Sequence, residues 1–141
     1  MIRVNNGTEF RLAFKIAKNM TESDFEEILK KLTIVAFREL VERTAEDSGF
    51  AKGNWDVVVD KSPPNTKLKN PGGSHSKATM PIVNVKADSI IVLYNNTEYI
   101  IYLEQGTPKM RAQPMVRPTA FMVESLAKRL SILLSGKKYN V

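Results

Sequence analysis

Hydrophobic and polar positions change period several times along this chain. Thr8 to Ala17 alternates: Thr8, Phe10, Leu12, Phe14 and Ile16 share one face, and the residues between them share the other. That is the pattern of a half-buried strand. From Glu22 to about Glu46 the period becomes helical. Phe25, Ile28, Leu29, Leu32, Ala36 and Leu40 cluster on one side. Thr21 is the expected N-cap, with Asp24 in the capping-box position and Met20 and Phe25 spaced as a hydrophobic staple. A second apolar stripe, Ile34, Phe37 and Val41, falls on the opposite side of the helix. It is either covered within the same fold or meets another subunit. In so short a chain the subunit contact is the favoured reading.

Asp47-Ser48-Gly49 breaks the helical pattern. "NWDVVVD" then reads as a strand with Trp55, Val57 and Val59 facing one way, the lone tryptophan as core. "PIVNVKA" and "SIIVLYN" read as an antiparallel pair joined tightly at Ala87-Asp88, and Asn95-Asn96 closes the second strand. Residues 98–105 are expected to form a short helix, started by Thr97 and ended by Gly106. A final helix is expected to begin at Pro118, bury Val123, Leu126, Ala127, Leu130, Leu133 and Leu134, and stop at Gly136 before Lys137 and Lys138.

The expected fold is therefore α+β. An antiparallel sheet of about four strands carries two long helices in one domain spanning residues 1–141. Between two strand candidates lies "KSPPNTKLKNPGGSHSKAT", residues 61–79, with Lys61, Lys67, Lys69, Lys77 and no acid. So long an uncommitted stretch is expected to be an extended, mobile basic arm.

Composition narrows the function. The chain has 141 residues, of which 43% are hydrophobic, enough for a real core, and a net charge of +6. It has no cysteine, so disulfides and thiolate zinc sites are excluded, and a reducing compartment is the expectation. "MIRVNNGTEF" has no apolar leader core, and no run is long enough to span a bilayer. The Asn-x-Thr triplets at Asn6, Asn19 and Asn95 then carry no glycosylation meaning.

Catalytic patterns are weak. His75 is the only histidine and sits in "GGSHSK", a loop that offers neither an orienting group nor an oxyanion hole. The loop lacks phosphate-binding spacing. Glu22, Asp24, Glu26 and Glu27 crowd the start of a helix, where its dipole accounts for them. Glu98 and Glu104 could approach Asp56 or Asp60, but no spacing marks a carboxylate pair. No enzyme, metal or cofactor is expected. The basic residues are more informative. Besides the arm, Lys109, Arg111 and Arg117 lie in a proline-pinned connector, and Lys137 and Lys138 follow the last helix. They suit a solubilising surface, an acidic protein partner or phosphates, without stacking aromatics or a nucleic-acid motif.

The connector itself, "EYIIYLEQGTPKMRAQPMVRPTAF", resembles the Tyr-x-x-Tyr-(Val/Leu)-Glu-x-Gly-Thr … Ala-x-Pro-(hydrophobic)-x-Arg-Pro-Ala stretch of a family of long-tailed phages, the tail-completion or head–tail joining proteins. Tyr99, Tyr102, Leu103, Glu104, Gly106 and Thr107 match its first half, and Ala112, Pro114, Arg117 and Pro118 its second. "DSGFAKGNW" resembles that family's turn into a strand, through Asp47, Ser48, Gly49 and Trp55, although Trp55 lies further from Gly49 than the pattern has it and Thr119 stands where alanine is usual. The resemblance spans about residues 22–135.

It implies a structural virion protein of the neck, made in the host cytoplasm. Such a protein assembles as a ring, usually hexameric, around the DNA channel, between the head connector and the tail tube or terminator. The tail terminator itself is an alternative, and a basic DNA-binding module is the alternative from another class. In a ring, Ile34, Phe37 and Val41, and the arm with Lys67, Lys69, His75 and Lys77, are the expected contacts between subunits. Arg117, fixed by the prolines, is expected to pair with Glu104 or another acid, and its loss is expected to hurt more than loss of Lys109.

Overall fold

The computed structural model describes residues 2–5, 9–12, 21–46 and 48–139, with side chains described for 21–46 and 48–130. The order is β1 (Ile2–Asn5), β2 (Glu9–Leu12), α1 (Glu22–Arg43), α2 (Phe50–Gly53), β3 (Trp55–Val59), β4 (Ile91–Asn95), α3 (Ile100–Gln105) and α4 (Val116–Tyr139). The fold is α+β. Its sheet is antiparallel, in the order β1-β2-β4-β3. β4 is central and buried throughout; β1 and β3 are the edges.

Thr21 caps α1 by accepting from the Asp24 amide at 3.1 Å. Met20 lies outside the described residues, as do Asp47 and all of the first alternating segment except β2. α1 ends at Arg43, earlier than the periodicity suggests, because Thr44 turns extended and its amide and hydroxyl both return to the Leu40 carbonyl. Gly49, in a left-handed conformation, then opens the one-turn helix α2, which the sequence reading did not foresee.

Two further expectations need correction. Phe37 and Val41 are core residues of this chain, at 2% and 3% exposure, and only Ile34 is open, at 49%. The second stripe of α1 is thus covered from within: α1 touches α2, α4 and β3, so most of its circumference is enclosed. The pairing of 81–87 with 89–95 does not form. Both edges of β4 are already taken, by β2 and β3. The chain does turn at Ala87-Asp88, the Ser89 amide donating to the Lys86 carbonyl at 3.1 Å. Both turn residues keep negative φ, however, and a tight two-residue hairpin favours positive φ at such positions.

α4 begins at Val116, two residues before Pro118, and runs past Gly136 to Tyr139. Its Val123 and Ala127 join Leu29, Leu32, Leu40, Trp55 and Leu93 in one continuous core. No described helix is long and apolar enough to cross a membrane.

Candidate functional site

The residues of the proline-pinned connector converge on one joint between α3 and α4. α3 turns Ile100, Leu103 and Glu104 inward and leaves Tyr102 half exposed. Its N-cap is Tyr99, whose side chain makes no capping bond, so Thr97 does not cap it; the Thr97 hydroxyl is buried without a partner. Gly106 ends α3 at φ 75°, its amide donating to the Tyr102 carbonyl at 2.7 Å. A Cβ there would lie 2.7 Å from the Ala112 nitrogen and 2.9 Å from the Met110 oxygen, so both conformation and space demand glycine. Thr107 to Met110 forms a reverse turn, with Pro108 at its second position, where a fixed φ suits it. The Gln113 amide then returns to the Leu103 carbonyl at 2.7 Å.

This loop delivers the start of α4 onto the buried Glu104 carboxylate. The amides of Met115, Val116 and Arg117 donate to it at 2.6, 3.0 and 3.0 Å. A helix leaves its first four N–H groups without internal partners. Here three are met by one carboxylate, and the fourth position is Pro118, which has no N–H. The regular ladder resumes with the Thr119 amide donating to the Met115 carbonyl at 3.3 Å. The negative charge also faces the positive end of the α4 dipole. Pro118 is therefore the third helical residue instead of the first, and Arg117 forms no ion pair with an acid among the described residues. Arg117 engages Glu104 through its main chain while its side chain is exposed.

The joint is tied to the rest of the core by a relay. The Trp55 indole N–H donates to the Thr44 hydroxyl at 2.7 Å. That hydroxyl lies 2.6 Å from the Leu40 carbonyl and 3.2 Å from the Met115 sulfur. It has one proton to give, and the carbonyl is the stronger acceptor.

Residues 61–79 do not project as an arm. They are exposed but strapped across α2. The amides of His75 and Ala78 donate to the Ser48 and Lys52 carbonyls at 2.8 and 3.0 Å. Leu68 bridges Thr97 in parallel fashion. Gly49 and Gly53 make room: a Cβ on either would strike the carbonyl oxygens of His75 and Ser76. His75 meets the Phe50 ring edge-on at 5.2 Å. Lys77 pairs with Glu42 at 2.7 Å, and this bond and charge push the lysine's pKa up and the glutamate's down. Lys67 and Lys69 are exposed, with no ion pair among the described residues.

Between strap and joint lies an open groove of about 610 Å³, walled by Phe50, Tyr99, Tyr102, Leu103 and Met110. On the far side of the sheet edge, burial first and then Asp56 raise the pKa of Tyr94, whose hydroxyl sits 3.3 Å from that carboxylate. No cluster of described His, Asp or Glu residues has metal-ligating geometry.

The sequence singles out Gly49, Trp55, Tyr99, Tyr102, Glu104, Gly106, Thr107, Pro114, Arg117 and Pro118. The structure gathers all but Gly49 and Trp55 into the joint, and places those two at the strap and at the relay. The sequence reading missed Thr44, which carries no local signal, and it paired Glu104 with the wrong part of Arg117. No family model, curated protein or solved structure matches the chain.

Proposed function

We propose that this chain is a structural protein of the phage head–tail neck that acts by assembling as a ring around the DNA channel, as a tail-completion or head–tail joining protein. One observation carries the reading. The residues behind the family resemblance, Glu104, Gly106, Pro114 and Pro118 among them, spend their chemistry on fixing the backbone between α3 and α4. Such use suits a mechanical part, in which one helix must leave its neighbours at a set angle. The ring would contact the head connector on one side and the tail tube or terminator on the other. On docking, the strap of residues 61–79 would leave α2 and serve as the extended arm, since a segment that reorders can cover a large surface.

Addition of purified head connectors or tail tubes, followed by negative-stain imaging, tests this. Rings on those particles are the expected result; no association with either sinks it. Limited proteolysis adds a second readout: cleavage within residues 61–79 should fall on assembly, and equal cleavage in both states counts against the docking role of the strap. The tail terminator is the nearest alternative, distinguished by binding to tail tubes without connectors. The exposed Lys67 and Lys69 favour a second reading, a DNA-binding module. Duplex affinity that drops steeply with added salt, in the absence of any ring, is its signature.

A further inference from the structure

Residues 79–85 belong to no helix or strand, and their backbone makes no hydrogen bond among the described residues. Its side chains nevertheless alternate as in a strand. Val85 and, beyond it, Ala87 are buried; Asn84 and Lys86 are exposed; Ile82 is fully exposed at 103%. It has the side-chain pattern of a strand and no hydrogen-bonded neighbour among the described residues. Pro81 offers no N–H, but the remaining unpaired main-chain groups can still take another strand.

We propose that residues 79–85 accept β3 of a second copy by strand addition. This rests on the self-assembly proposed above and names the two edges that meet. Among the described residues β3 is an edge strand of the sheet, with Pro64, Thr66 and Leu68 near its first residues. The Asp60 amide bonds to Ile90, so the main-chain groups of Asp56 and Val58 share its side and those of Trp55, Val57 and Val59 point outward. One of these is guarded: the Val57 amide donates to its neighbour Asp56 at 2.8 Å. Such a guard discourages pairing of β3 with another β3, which would also set like charges together.

The other edge has the opposite charge. From Lys61 to Ala87 the chain holds Lys61, Lys67, Lys69, Lys77 and Lys86 and no acid, whereas β3 is bounded by the exposed Asp56 and Asp60. Lys86, beside the acceptor segment, would give Asp56 an alternative partner and free the Val57 amide. Main-chain bonds then supply affinity and the flanking charges supply choice of partner. Because the two edges differ, the contact is head-to-tail, and each added copy leaves one edge of each kind open for the next.

The chain has no cysteine, so engineered thiols report cleanly. Ile82→Cys and Val58→Cys proteins are mixed and treated with a short bismaleimide, both free and on purified head connectors. A cross-linked product in the mixture, absent from Ile82→Cys alone, is expected in at least one state. No product in either state, or equal product from Ile82→Cys alone, overturns the proposal. Ile82→Asp provides the second measurement: the side chain is fully exposed, so melting is unchanged while self-association weakens about tenfold or more. Rings that form equally well from Ile82→Asp refute this edge pairing and leave the ring itself standing; wild-type protein that forms no ring refutes the ring.

Discussion

The joint at residues 104–119 and the strap at 61–79 look alike as sequence. Both are basic, rich in proline and marked by glycine. The structure makes them opposites. In the joint every amide at the start of α4 is accounted for by one buried carboxylate and one proline. In the strap a few main-chain bonds hold a largely exposed chain to α2. What separates them is burial of a charged acceptor. A buried carboxylate must be fully bonded to stay, so it forces its surroundings into one arrangement, and an exposed lysine forces nothing.

That contrast is open to test by substitution. Glu104→Ala carries the largest effect, because it leaves buried donors orphaned. It should cost about 3 kcal/mol or more in chemical denaturation, with Glu104→Gln recovering about half. A Glu104→Ala protein as stable as wild type would remove the distinction. Gly106→Ala comes next, at about 2–3 kcal/mol, since it combines a left-handed φ with contact against backbone. Gly73→Ala, at a similar φ of 81° but in open space, should lose only about 1 kcal/mol.

Gly49→Ala should act on the strap specifically, through the His75 carbonyl. Protease cleavage within 61–79 should rise more than global stability falls. Thr119 has a buried hydroxyl without a partner, so Thr119→Val should be neutral or gain about 1 kcal/mol. Least of all, Lys77→Ala should leave the melting temperature unchanged, because its ion pair with Glu42 lies in solvent. For the same reason Arg117→Ala and Lys109→Ala should now behave alike, since Arg117 serves the joint through its amide, which alanine retains.

How much of this was readable beforehand follows from the range of the interactions. Thr21 and Gly106 were legible because caps are local rules. α3 could be found for the same reason. The end of α1 could not, since Thr44 is placed by Trp55 and Met115, far along the chain. The missing hairpin at 81–87 was a competition for β4, and no window of sequence shows that β2 wins it. The burial of Phe37 and Val41 is a similar case: a two-sided helix pattern says that something covers the second side, and only packing says what. At the joint the motif marked the right residues, but the bond between Glu104 and three amides spans a loop whose closure depends on Gly106.

The relay from Trp55 through Thr44 to Met115 has a practical consequence. This is the chain's single indole, and it rests three contacts from the carboxylate that anchors α4. Its fluorescence colour is thus a built-in optical gauge: loosening of the α4 anchor should admit water to the ring and shift emission to the red, before and apart from any loss of helical circular dichroism.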